Sequence, residues 1–377
     1  MNIASVPAAG QPQVRIASHI PALDGVRGLA IVLVILVHAT LVFPSGHIGV
    51  DLFFVLSGYL ITKILLTEQS AAGSIGLKRF YIRRALRLFP ALWIMVASVI
   101  VYTAFWQSSE QLTKTLINAG SILLYFFNLL LVHQWPHIDR HQYLFTHVWS
   151  LSVEEQFYLV WPFLLVALHK LRAPLLAVPL IAVIGIIYPG VARWMAYHGG
   201  PALDLYFRTD LRIDGLMWGA LVAWLTQNRF IPPVAYRRLV GTLGILATLG
   251  FLILSLFPIV TNGFVFVGGF SIVNLLAATI VASLVWYPSA VLSWFFEIAW
   301  LRWLGKISYG IYLWHVPVIR VLYDSKLPLE PWLLSTLEAT LSIAIAALSF
   351  YAVERHFLKL KFRFAPKAAP VLAPAMA

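Results

Sequence analysis

Residues 24–40 read DGVRGLAIVLVILVHAT, an apolar run of transmembrane character that carries an arginine and a histidine. At about 100° per residue, the eleven steps from Arg27 to His38 close about three turns, so both side chains leave one face of a helix. At about 1.5 Å per residue they stand about 16 Å apart, roughly half the hydrocarbon core of a bilayer. Asp24 falls near the same stripe. A guanidinium near one membrane surface with an imidazole deep beneath it is costly to bury, and that cost marks a functional site.

The rest of the chain has the same character. Of 377 residues, 60% are hydrophobic and 11% charged, and the mean hydropathy is +0.84. Apolar runs long enough to span a bilayer recur from end to end, so the expected fold is all-α, a polytopic helical membrane protein. No signal peptide is expected, because the N-terminal residues lack a short apolar region with a cleavage site. The net charge of +12 fits cationic cytoplasmic loops better than a nucleic-acid partner. With no cysteine, any base or nucleophile comes from His, Ser, Tyr or carboxylates.

Eleven apolar segments are visible, at 23–43, 46–67, 89–107, 115–133, 149–168, 174–193, 211–226, 237–257, 264–287, 306–322 and 332–353. The connections 78–87, 169–173, 227–238 and 302–306 and the C-terminal tail carry the cations, and the positive-inside rule places them in the cytoplasm. Strict alternation then requires one segment not to cross, and 115–133 is the expected re-entrant or buried piece. About ten crossings with both termini cytoplasmic follow: a tail at 1–20, a membrane domain at 21–358 and a tail at 359–377. Residues 75–89, IGLKRFYIRRALRLF, alternate cations with apolar residues, as an interfacial helix or the cytoplasmic start of a span would.

Several constellations carry chemistry. His38 reads as a general base, because neutral imidazole is the usual one near pH 7, against a packing role bonded to a neighbouring helix. Arg27 is its partner or a snorkelling cation at a helix end. Arg84 and Arg87, one turn apart, suit a phosphate grip or a purely topological role. In HVWSLSVEEQFYLVWP (147–162), Ser152 and Glu155 match a capping box, which leaves Glu154 on the face of His147. Asp51 is an acid inside an apolar segment and is expected to pair with a cation, while Ser57 and Gly58 suit close helix packing. Ser308, Tyr312 and His315 form one helical stripe, assigned to packing or substrate lining. The histidines 133, 137, 141 and 147 fit a helix too loosely to suggest a metal.

Six landmarks occur in order: LDGVRGLAIVLVILVH (23–38), IGVDLFFVLSGYLIT (48–62), FYIRRALRLFPALW (80–93), HVWSLSVEEQFYLVWP (147–162), LGKISYGIYLWH (304–315) and FYAVERHF (350–357). Together they resemble the membrane acyltransferase-3 family of bacterial O-acyltransferases. His356 departs from the pattern, since the family often has proline there. The resemblance implies a multi-pass protein of the bacterial cytoplasmic membrane, in contact with lipid. It implies transfer of an acyl group, often acetyl, from cytoplasmic acyl-CoA to a hydroxyl of an extracytoplasmic glycan or related acceptor. Acyl-CoA is then a donor substrate, and no permanently bound cofactor is expected. Arg27 and His38 match the family's Arg-x10-His, and Arg84 and Arg87 its Arg-x-x-Arg. His38, Arg27 and Glu154 are thereby the expected catalytic residues, with Arg84 and Arg87 binding the phosphates of CoA. Asp24, Asp51, His147, Glu155, Ser308 and His315 are expected to support substrate or structure. Some members carry a further hydrolase-like domain, which is expected to be absent here; if the acceptor pathway needs such a step, a separate protein provides it. The competing reading is a non-enzymatic transporter or flippase whose buried charges form a path.

Overall fold

The computed structural model describes residues 19–39, 43–134, 144–199, 202–259 and 263–364, which are helical with no strand among them. The helices are α1 (Pro21–Ala39), α2 (Gly49–Ala72), α3 (Leu77–Trp106), α4 (Ser109–Leu123), α5 (Phe127–Gln134), α6 (Trp149–Lys170), α7 (Ala177–Ala196) and α8 (Leu203–Phe207). They continue with α9 (Asp214–Gln227), α10 (Arg237–Ser255), α11 (Phe270–Trp286), α12 (Ala290–Phe296), α13 (Ala299–Asp324), α14 (Pro331–Ser349) and α15 (Arg355–Leu360). Their ends follow local chemistry. α1 and α14 open on proline, whose missing N–H would be unpaired there in any case. α2 stops at Gly73, whose φ of 68° suits the left-handed position after a helix.

Among the described residues, eight helical stretches are long and apolar enough to cross a membrane. They coincide with eight of the eleven apolar segments. The segment 115–133 is broken at Tyr125, which has φ 58°, into the short helices α4 and α5. The segment 211–226 becomes α9, only 14 residues long. It is wrapped by α2, α7 and α11, so its length need not match the bilayer. The segment 306–322 lies in α13, 26 residues long, which carries Arg302, Lys306 and Arg320. Residues 77–89 are the first turns of α3 rather than a separate interfacial helix.

The centre of the bundle is α1 and α2, and α7 and α14 form its perimeter. In the apolar window of Gly46–Ala72, 72% is buried, against 17% for Ala177–Ala196. Two glycine contacts fix the spacing of the central helices. A Cβ on Gly58 would fall 1.9 Å from the Leu216 carbonyl oxygen, so α2 and α9 touch backbone to backbone. A Cβ on Gly305 would fall 1.8 Å from the Asp24 carbonyl oxygen, which seats α13 directly on α1. The second contact sets the site, because it aligns the stripe of α13 with that of α1.

Candidate functional site

Arg27 and Ser308 meet where α1 crosses α13, with Arg27 Nε donating to Ser308 Oγ at 3.3 Å. From α6, Glu154 reaches the same place and accepts from Ser57 Oγ at 2.9 Å and from Tyr158 O–H at 3.1 Å. Arg27, Ser57, Glu154 and Ser308 line a narrow cavity of about 60 Å³, together with Ser150, Tyr309 and Tyr312. Four helices thus converge on the guanidinium, and the polar stripe predicted on α13 faces the one predicted on α1.

On one side of Arg27 the space opens. A cavity of about 1010 Å³ shares Arg27, Leu60 and Tyr309 with the narrow one. Its walls include the start of α1 and the ends of α2 and α9, so it lies at one end of the bundle. Arg27, Lys63, Arg87, Lys306 and Lys361 line it against the carboxylates Asp24, Glu68 and Glu354. Glu68 is already engaged by Arg79 at 3.3 Å and Arg83 at 3.2 Å, and Asp24 by His19 at 3.1 Å. Burial holds the Lys361 ammonium below its ordinary pKa, and the nearby Arg87 and Arg83 charges lower it further. The cavity therefore has a surplus of cation, which favours an anionic guest.

On the other side stand three histidines. The His38 and His315 rings are 5.0 Å apart edge to face, as are His147 and His315. Tyr312 connects this group to the narrow cavity, since its O–H donates to the His147 carbonyl at 2.7 Å and lies 2.6 Å from Ser150 Oγ. His38 is the penultimate residue of α1 and is exposed. The spacing predicted an imidazole deep in the membrane; the helix ends one residue later, before the turn at Pro44 to Gly46, and this puts the ring at the end of the span.

The other predicted residues divide. Arg84 and Arg87 have different surroundings. Arg84 Nε donates to Glu155 Oε1 at 3.1 Å, and its guanidinium lies 3.2 Å from the Tyr158 ring centroid. Arg87 alone lines the large cavity. The capping box is not formed, because α6 begins at Trp149 and places Ser152 inside the helix; Glu155 is the counter-ion of Arg84 instead. Glu154 is bound to Ser57 and Tyr158 rather than to His38. His137 and His141 lie outside the described residues.

Asp51 does pair with a cation: Arg212 Nη2 donates to Asp51 Oδ1 at 2.9 Å, with both residues buried. The Arg212 guanidinium lies 3.6 Å from the Phe270 ring centroid and 5.0 Å from that of Tyr206. A second buried pair, Arg193 and Asp214, closes at 2.7 Å beside it. Arg193, Arg212 and Asp214 are absent from the sequence-predicted site. Their signal was a charge inside or at the edge of the apolar segments 174–193 and 211–226.

The fold and the site define a polytopic membrane protein with a cationic cavity at one end, a narrow cavity adjoining it at Arg27 and, beyond Tyr312, a cluster of imidazoles. Residues 20–354 match the acyltransferase domain family, acyltransferase-3, and the chain belongs to that family. It is similar to the peptidoglycan O-acetyltransferase OatA of Listeria monocytogenes, at 35% identity over 91% of this chain and 56% of that protein. It is also similar to the O-acetyltransferase OatA of Staphylococcus aureus, at 29% identity over 93% of this chain and 59% of that protein. The chain thus spans under three-fifths of the length of these relatives. No solved structure matches it.

Proposed function

We propose that this chain is a membrane O-acyltransferase that takes an acyl group, acetyl first among candidates, from cytoplasmic acyl-CoA to a hydroxyl of a glycan outside the membrane. The observation that carries this reading is the wall that the large cationic cavity and the narrow cavity share at Arg27, Leu60 and Tyr309, with Tyr312 of the narrow cavity bonded to His147. A site of about 1010 Å³ has room for a nucleotide thioester, and its surplus of cations matches the phosphates of CoA. Cations also cluster at this end on Arg79, Arg83, Lys306 and Lys361, and by the positive-inside rule this supports a cytoplasmic orientation for it.

The chemistry follows from the atoms present. The acyl arm passes Arg27 through the narrow cavity towards the histidines. A backbone carbonyl only accepts, so His38 Nδ1, 2.7 Å from the Val34 oxygen, carries the ring proton, and Nε2 keeps a lone pair. Nε2 takes the proton of the acceptor hydroxyl as its oxygen attacks the thioester carbonyl. The carbon–sulfur bond breaks and CoA leaves as the thiolate, which is then protonated. The guanidinium of Arg27, braced by Ser308 on the donor side, offers its remaining N–H groups to the carbonyl groups of the acyl-CoA arm as it passes. The acceptor glycan is proposed from the likeness to peptidoglycan O-acetyltransferase.

The donor half is tested by titrating purified protein with acetyl-CoA and following thermal stabilisation. Arg87→Ala removes one charge-assisted contact and is expected to weaken apparent affinity about 10- to 100-fold. Equal affinities for the variant and the wild type would remove the phosphates of CoA from this cavity.

A further inference from the structure

The tautomers of all three clustered histidines are fixed by carbonyl groups. His315 Nδ1 lies 2.7 Å from the Tyr312 oxygen and 3.3 Å from that of Ile311. His147 Nε2 lies 3.1 Å from the Leu313 oxygen. Each of these nitrogens must therefore be the N–H of its ring, so the other nitrogen of a neutral imidazole is a lone-pair acceptor. Three positive rings would repel at 5.0 Å spacing. The acceptors are His147 Nδ1 and His315 Nε2. Both are buried, in residues 5% and 0% exposed, and neither has a hydrogen-bond partner. A buried acceptor without a donor costs about 1–3 kcal/mol, yet two occur side by side, next to the exposed His38.

We propose that His147 Nδ1 and His315 Nε2 are the acceptor-binding groups of the site, taking hydrogen bonds from hydroxyls of the incoming polyol. This rests on the reading above that His38 faces a hydroxyl acceptor. The pair selects a ligand that donates through more than one hydroxyl, as a sugar ring does, over one that only accepts. It aligns the hydroxyl that gives its proton to His38 Nε2. The two nitrogens bonded to carbonyls hold the rings in place, and the two free ones do the recognition.

Asparagine and glutamine separate these jobs, because an asparagine amide occupies the place of Nδ1 and a glutamine amide that of Nε2. His315→Gln keeps an acceptor where Nε2 was but loses the bond to Tyr312; His315→Asn does the reverse. At His147 the assignments invert: His147→Asn keeps the recognising position and His147→Gln the bracing one. The readout is alkali-released acetate from the envelope glycans of cells expressing each variant, normalised to the amount of folded protein in the membrane.

Recognition by the free nitrogens predicts that His315→Gln and His147→Asn keep at least about a third of wild-type acylation. His315→Asn and His147→Gln should fall about tenfold or more. The opposite pattern, or no difference within the pairs, would make the rings structural braces and overturn the proposal. If one site's variants fail to accumulate, the pair at the other site decides. His38→Ala separates the underlying reading: full acylation by that variant would sink the hydroxyl-facing histidine itself, whereas its inactivity combined with the wrong asparagine–glutamine pattern sinks only the recognition role.

Discussion

Replacing His38 with alanine is expected to lower acyl transfer by about 10²- to 10⁴-fold, the range for loss of a positioned general base. The ring is held by one bond to its own helix and is exposed at the end of α1, so its removal leaves the bundle packed and the protein should still accumulate in the membrane. Arg27→Ala should have a smaller effect, about 10- to 100-fold, through the hold on the donor. That variant removes a guanidinium that lines both cavities and bonds to Ser308, and with it a charge-assisted contact on the path of the donor. Rates of acetyl transfer from acetyl-CoA, measured on equal amounts of folded protein, check both. Activity near wild type in either variant would contradict the assignment.

The largest effect on stability is expected at Asp51. Asp51→Ala leaves Arg212 buried without its carboxylate, and breaking one side of a buried pair costs about 3–5 kcal/mol. Arg212 is 1% exposed and enclosed by Phe270, Tyr206 and Trp149, so the stranded charge has no route to water. Thermal unfolding in detergent should show a large fall in Tm for Asp51→Ala. The double variant Asp51→Leu/Arg212→Met should recover much of it, because an apolar pair of similar volume removes the charge as well as its partner. A double variant no more stable than the single one would mean that the ion pair itself, rather than the stranded charge, holds α2 against the turn that precedes α9.

Much of this site is legible in residue spacing, because spacing reports one helix at a time. Arg27 and His38 lie on one face of α1, and Ser308, Tyr312 and His315 on one face of α13. Which stripe faces which is not a property of either helix alone. It depends on Gly305 lying against the Asp24 carbonyl, a contact that joins residues far apart in sequence. The same limit applies to Arg84 and Arg87. Spacing places them on one side of α3, but only the packing of α6 gives Arg84 to Glu155 and leaves Arg87 to the cavity. The Ser152–Glu155 capping box depended on a helix start that the chain makes earlier, at Trp149. The bilayer-length test suits helices that meet lipid and passes over α9, which meets other helices instead. Arg193, Arg212 and Asp214 carried a readable signal in their charge, but their pairing with each other and with Asp51 is a tertiary fact.

The central claim is that an acyl group enters at the end lined by Arg87 and leaves at the end where His38 stands. Sealed membrane vesicles of both orientations, supplied outside with radiolabelled acetyl-CoA and carrying their own glycan acceptor, test it directly. The account predicts that only inside-out vesicles, whose cytoplasmic face meets the nucleotide, incorporate label into glycan ester, and that His38→Ala abolishes it. Equal labelling of right-side-out vesicles, or labelling that persists in the variant, would contradict it.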